Sequence, residues 1–226
     1  MSNGEEQRPP GEQADSHSQP EADTQVASAL MDPGAFVDQA AKVITNPVGF
    51  YQSMPKSGGY TDPLVFMVVL AVASGVISAV LSMAGIGFRG VVVGGFMAIV
   101  FVPVFAVVFG FVGAAIVYVI WKVLGSDENF ETAYRCVAYS SAIGPVLTVL
   151  GLIPIIGSIA SAVWPMALMA IAGIHVHRRN AQVCWSVFGA LALFLMVTNM
   201  AAERQADEMA DSLQSIQRMM EEEQRQ

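Results

Sequence analysis

An all-α, polytopic membrane bundle is what this chain predicts, on three observations. Of its 226 residues 54% are hydrophobic and only 13% charged, against about 25% charged in a soluble domain. The 30 charges are uneven, with 12 in positions 1 to 62, 10 in 203 to 226 and 8 in the 140 residues between. That middle holds apolar runs long enough to cross a bilayer, which takes about 20 residues. Such a chain argues against a secreted disulfide scaffold, a nucleic-acid binder and a soluble enzyme.

Residues 1–30 are rich in Gln, Glu, Pro, Ser and Asp and hold almost no large apolar groups. They cannot bury enough surface to offset the entropy of ordering, so a disordered acidic arm is expected. In 31–60, Pro33, Phe36, Val37, Ala40, Ala41, Val43 and Ile44 recur at helical spacing after an Asp32-Pro33 cap. This amphipathic helix either lies on the membrane surface or packs against the protein's own loops.

The uncharged runs are Pro63–Phe88, Gly90–Trp121, Cys136–His177 and Asn180–Ala202. The first and last are one span each. The third, 42 residues and roughly 63 Å as a helix, is twice a hydrocarbon core. It reads as a tight hairpin with its corner at Gly151-Leu152-Ile153-Pro154. Gly90–Trp121 is long for one span and short for two. It reads as one helix tilted or kinked at Pro103, with a broken re-entrant pair as the alternative. Five spans result, at about 63–85, 91–123, 134–153, 155–176 and 181–202, forming a membrane domain over 61–202 with Pro103 and Pro154 as hinges.

An odd number of spans separates the termini. Lys42, Lys56, Lys122, Arg135, Arg178 and Arg179 fall on one side, against Arg89 and Arg204 on the other. The cation rule puts the six in the cytoplasm. The N-terminus is then cytoplasmic and the C-terminus outside a cell (inner) membrane, with Lys56, Lys122, Arg135, Arg178 and Arg179 as orientation anchors. No cleaved signal peptide is expected. Cys136 and Cys184 lie near cytoplasmic helix ends, where thiols stay reduced, so no disulfide is expected.

The tail, 203–226, continues the last span without Pro or Gly. Met209, Leu213, Ile216 and Met220 step by four, three and four, a two-heptad seam. A solvated helical extension ranks ahead of a coiled coil, whose partner would be a second copy. Small residues recur at intervals of four: Ser74, Ser78 and Ser82; Gly90 and Gly94; Ala106, Gly110 and Ala114; Gly157 and Ser161. Such faces let helices approach closely in lipid. Intramolecular packing is the plainer reading, and a dimer interface or polar pathway the sharper one.

Chemistry is sparse. The eight central charges read as loop residues that mark boundaries, with none inside a span, which argues against coupled transport and intramembrane proteolysis. Motifs of serine and zinc hydrolases, P-loops and Cys-x-x-Cys are absent. His175 and His177 alternate on a helix, so they point about 200° apart, and an interfacial anchor is preferred to a metal site. Asp127, Glu128 and Glu131 are the one plausible cation cluster; punctuation by Gly125, with Asp127 or Asn129 capping the next helix, is the simpler role. No catalytic residue, cofactor or metal is expected. The expected surroundings are the lipid bilayer and other membrane proteins or a second copy, with no nucleic acid.

Three stretches together resemble the YIP1 (Yip1-domain) family: Asn46 to Leu64, containing Gly49-Phe50-Tyr51, Gly58-Gly59-Tyr60 and Thr61-Asp62-Pro63-Leu64; Leu124-Gly125 with Phe130-Glu131-Thr132-Ala133-Tyr134-Arg135 and Val137 to Ser141; and Ile153 to Gly157, running to Trp164 and His175 to Arg179. The resemblance covers about Asn46 to Ala201. It implies five spans, a cytosolic N-terminus and no catalytic residues. Eukaryotic relatives bind Rab-type GTPases in vesicle traffic, but their Asp-Leu-Tyr-Gly-Pro element is absent here. The chain therefore resembles the prokaryotic branch more closely, and GTPase binding is not carried over. The expected role is a non-enzymatic, membrane-organising or partner-scaffolding protein. The alternative is a transporter or channel subunit with a path lined by Ser74, Ser78, Ser140 and Ser141 and gated near Pro103 or Pro154.

Overall fold

A computed structural model describes residues 33–84 and 92–224. The arm at 1–30, Asp32, Arg89 and Gly90 lie outside them. Among the described residues the chain is helical, without strands. The helices are α1 (Pro33–Thr45), α2 (Pro47–Ser53), α3 (Thr61–Met83), α4 (Val92–Val123), α5 (Phe130–Ser140), a 3-10 turn (Ser141–Ile143), α6 (Gly144–Leu150), α7 (Pro154–His175) and α8 (Ala181–Gln224).

Helix starts follow local chemistry. Asn46 caps α2, its side chain accepting from the Gly49 N–H at 3.1 Å. Asn129 caps α5 through the Thr132 N–H at 2.9 Å, and Asn180 caps α8 through the Gln182 N–H at 2.8 Å. Proline stands in the opening turn of α2, α6 and α7, where its missing N–H costs nothing.

Among the described residues four segments are long and apolar enough to cross a membrane: α3, Ile99–Val123 of α4, Ile155–His175 of α7 and Ala181–Ala202 of α8. α4 runs through Pro103 without a break. The expected segment 134–153 is not one continuous α-helix. It consists of most of α5, the 3-10 turn and α6. Ser140 and Ser141 donate to the carbonyls of Val137 and Ala138, both at 2.6 Å, and Pro145 has no N–H to continue the ladder. Apolar composition hid this interruption.

Two helix pairs dominate, α3 with α4 and α7 with α8, and α5 lies among them. Trp121, Phe188, Cys184, Leu168, Cys136, Tyr51 and Val43 are fully buried in the main core. Both cysteines are free. Of the two placements open for α1, packing within the protein is observed: Val43, Phe36, Ala40 and Ile44 sit on the core, with the Phe36 and Phe66 rings 4.9 Å apart. The α6–α7 corner closes on Gly157, whose N–H donates to the Ile153 carbonyl at 2.7 Å. α8 continues past the last span as one helix to Gln224, with Met209, Leu213, Ile216 and Met220 exposed.

Candidate functional site

Among the described residues, the charged side chains of the membrane domain gather at one end of the bundle, where residues 54–60, the α4–α5 loop and the α7–α8 turn meet. Gly58 and Gly59, at φ of +121° and +85°, let the chain double back there. Lys56 donates to Glu128 and, at 2.8 Å, to the carbonyl of Val176. Thr132 Oγ1 donates to the Lys56 carbonyl at 3.0 Å, and the Gly59 N–H donates to Glu131 at 2.7 Å. One lysine therefore ties together three segments far apart in sequence.

Arg135 is the centre of this junction. It is 3% exposed, and its Nε and Nη1 donate to the carbonyls of Pro55 and Gly59, each at 2.8 Å. Expected as a loop-side orientation anchor, it is instead a buried helical residue in α5. The reading of all eight central charges as loop markers is corrected accordingly, since Glu131 also lies in α5 and Lys122 in the last turn of α4. A buried cation needs full hydrogen bonding, and the 54–60 backbone supplies it.

His177 lies flat against Trp121, with ring centroids 3.8 Å apart, and its Nδ1 is 2.7 Å from the Ser126 hydroxyl. Burial, with Lys56, Arg179 and Lys122 nearby, pushes its pKa down to about 3, so the ring is neutral at ordinary pH. His175 instead meets Gln52 at 3.2 Å. The two histidines thus engage different partners. Arg179 donates to the Gly125 carbonyl at 2.7 Å, closing α4 against the α7–α8 turn, and Arg178 takes a left-handed φ of 54° there. Among the described residues no three His, Cys, Asp or Glu side chains are placed to share a metal ion. Glu128 and Glu131 are engaged with the 54–60 segment and Asn129 caps α5.

The small-residue positions fall at separate places. A methyl on Gly110 would meet Met67 Sδ at 2.7 Å, marking the close approach of α3 and α4, and Ala114 is fully buried beside it. A methyl on Gly157 would meet Gly151 Cα at 2.7 Å. Ser74 is buried where α6 begins, and a methyl on Gly144 would come within 3.1 Å of its hydroxyl. Ser74, Ser82 and Ser161 donate to the carbonyls of Leu70, Ser78 and Ser158 of their own helices. Gly94 lies in the first turn of α4. Pro103 lies within continuous α4 and Pro154 opens α7. Lys122 sits 5.5 Å over the Tyr118 ring. Sequence reasoning missed the pairing of Ser126 with His177 and the two carbonyl bonds of Arg135. The faint signal was their polarity at the edges of apolar runs.

Several apolar helices and a cluster of polar ties at one end define a multi-pass helical membrane protein. The Yip1 domain family profile matches residues 41–202, and the chain belongs to the Yip1 family. No curated protein and no solved structure matches it.

Proposed function

We propose that the protein is a non-enzymatic scaffold of the membrane, holding partner membrane proteins or a second copy against the bilayer. One observation carries this reading. Lys56 and Arg135 fasten the segment that follows α2 to the bundle through carbonyl acceptors, while Arg179 and the Nδ1 of His177 tie the α7–α8 turn to the α4–α5 loop. The hydroxyls of Ser74, Ser140 and Ser141, which would line a path in a carrier, donate to carbonyls of nearby turns of their own segments. That favours packing over permeation. The cation bias supports a cytoplasmic N-terminus with the α8 tail outside, and the resemblance to the prokaryotic branch supports a cell (inner) membrane location.

Crosslinking mass spectrometry in native membranes tests this, with photoreactive residues at exposed Val37 on α1 and Leu213 on the tail. A small, reproducible set of protein adducts is expected. Adducts to lipid alone at both positions would contradict a scaffold.

A further inference from the structure

α1 and α2 do not close completely on each other. Between them lies a cleft of about 280 Å³, lined by Ala35, Gln39 and Lys42 on one side and by Phe50, Met54 and Pro55 on the other, with Tyr139 as its floor. We propose that this cleft binds the anionic headgroup of a membrane phospholipid.

Depth comes first. The Tyr139 ring packs edge-on against Phe66, centroids 5.1 Å apart. Phe66 stands five residues into α3, about 8 Å along its axis. The cleft is therefore level with the boundary between headgroups and hydrocarbon, where amphipathic helices rest.

Charge comes second. Lys42 is exposed at the mouth, and among the described residues its ammonium has no carboxylate within ion-pair distance. Behind the floor, the Arg135 guanidinium lies 5.9 Å over the Tyr139 ring; its two hydrogen bonds go to carbonyls, so its positive charge is not cancelled by a carboxylate. Asp62 is the acid that acts on Tyr139 and Asp38 stands one helical turn before Lys42 on α1, so Lys42 at the mouth and Arg135 behind the floor are the two cations that would meet an anion. Gln39 and Tyr139 both line the cleft and offer it an amide and a hydroxyl.

Size comes third. Pockets for whole small molecules run from about 300 to 1,000 Å³. Just below that range, this cleft accommodates a phosphate and its alcohol, not two acyl chains. Phe50, Met54 and Pro55 suit the glycerol end, while the chains extend into the bilayer beside exposed Val37 and Val48. An anionic headgroup is thereby selected over a zwitterionic one, whose choline would face Lys42.

The test is native mass spectrometry of the purified full chain in detergent, titrated with phosphatidylglycerol or phosphatidylcholine. One to two phosphatidylglycerols per chain should be retained in preference to phosphatidylcholine. Lys42→Glu should weaken that retention about tenfold, given what one interfacial cation contributes, Gln39→Glu should weaken it similarly, and Lys42→Arg should preserve it. Lys122→Glu, altering another exposed cation at the same end of the bundle, should leave it unchanged. Equal loss in Lys42→Glu and Lys122→Glu would reveal diffuse interfacial attraction and overturn the proposal. So would equal retention of the two lipids, or displacement by free glycerol phosphate at the same concentration, which would mark a soluble phosphate-ester site.

Discussion

The guanidinium of Arg135 donates at 2.8 Å to the carbonyl of Gly59, 76 residues earlier in the chain. Through this bond and its neighbour to Pro55, a helix in the middle of the bundle fixes the segment leading into the first span. A charge so deeply buried is tolerable only because both carbonyls accept from it.

Arg135→Ala should therefore lower stability by about 3 kcal/mol, the loss of two charge-assisted bonds together with two unsatisfied carbonyls. Arg135→Lys keeps the charge but lacks the fork that reaches both acceptors, so it should fall between. Thermal denaturation in detergent gives the ranking, and limited proteolysis should show cleavage near 54–60 rising in the same order.

His177 makes stability depend on pH. In the folded chain its pKa is about 3, against the ordinary 6.5. Between those values the unfolded state binds a proton that the folded state refuses, so stability rises with pH. It is fully present above about 6.5 and falls by about 1.4 kcal/mol for each pH unit below that. His177→Phe retains a ring on Trp121 but cannot titrate. Its melting temperature should be nearly flat from pH 6.5 to 4.5 where the unsubstituted chain's declines, as melting curves at stepped pH would reveal.

Two glycines in neighbouring helices should respond oppositely. At Gly157 in α7 a methyl would strike backbone, the Leu150 carbonyl at 2.9 Å and Gly151 Cα at 2.7 Å, and backbone cannot rotate aside. Gly157→Ala should cost about 1–3 kcal/mol, in the range of overpacking. At Gly189 in α8 nothing lies within 4 Å, so Gly189→Ala should be neutral or stabilise by about 0.5–1 kcal/mol. Paired unfolding curves compare them directly.

The spans were readable because lipid demands long uncharged runs and their ends carry punctuation. Expected 91–123 is observed as Val92–Val123, and 155–176 as Pro154–His175. The 3-10 interruption after Ser140 was not readable, since serine back-bonds and Pro145 change no composition. The polar junction was not readable either. Lys56 and Glu128 are 72 residues apart, and Ser126 and His177 are 51 apart. Contacts of that separation leave no periodic trace, and only tertiary packing decides them. Arg135 was misread for the same reason: a cation at the edge of an apolar run looks like a boundary whether it faces water or a carbonyl.

Topology is testable with single cysteines. Asp127 is exposed in the α4–α5 loop and Ser212 on the α8 tail. With Cys136 and Cys184 buried, Asp127→Cys should react with an impermeant maleimide only from the cytoplasmic side and Ser212→Cys only from outside. Labelling of position 127 in intact cells would invert the arrangement.

The central claim is that the bundle holds partners and does not conduct. Flux across proteoliposomes containing the full chain, assayed with ions and a panel of small solutes, tests it most directly. The account predicts rates equal to those of empty vesicles, unchanged by Ser74→Leu or Ser140→Leu. Saturable, solute-specific flux that those substitutions abolish would contradict it.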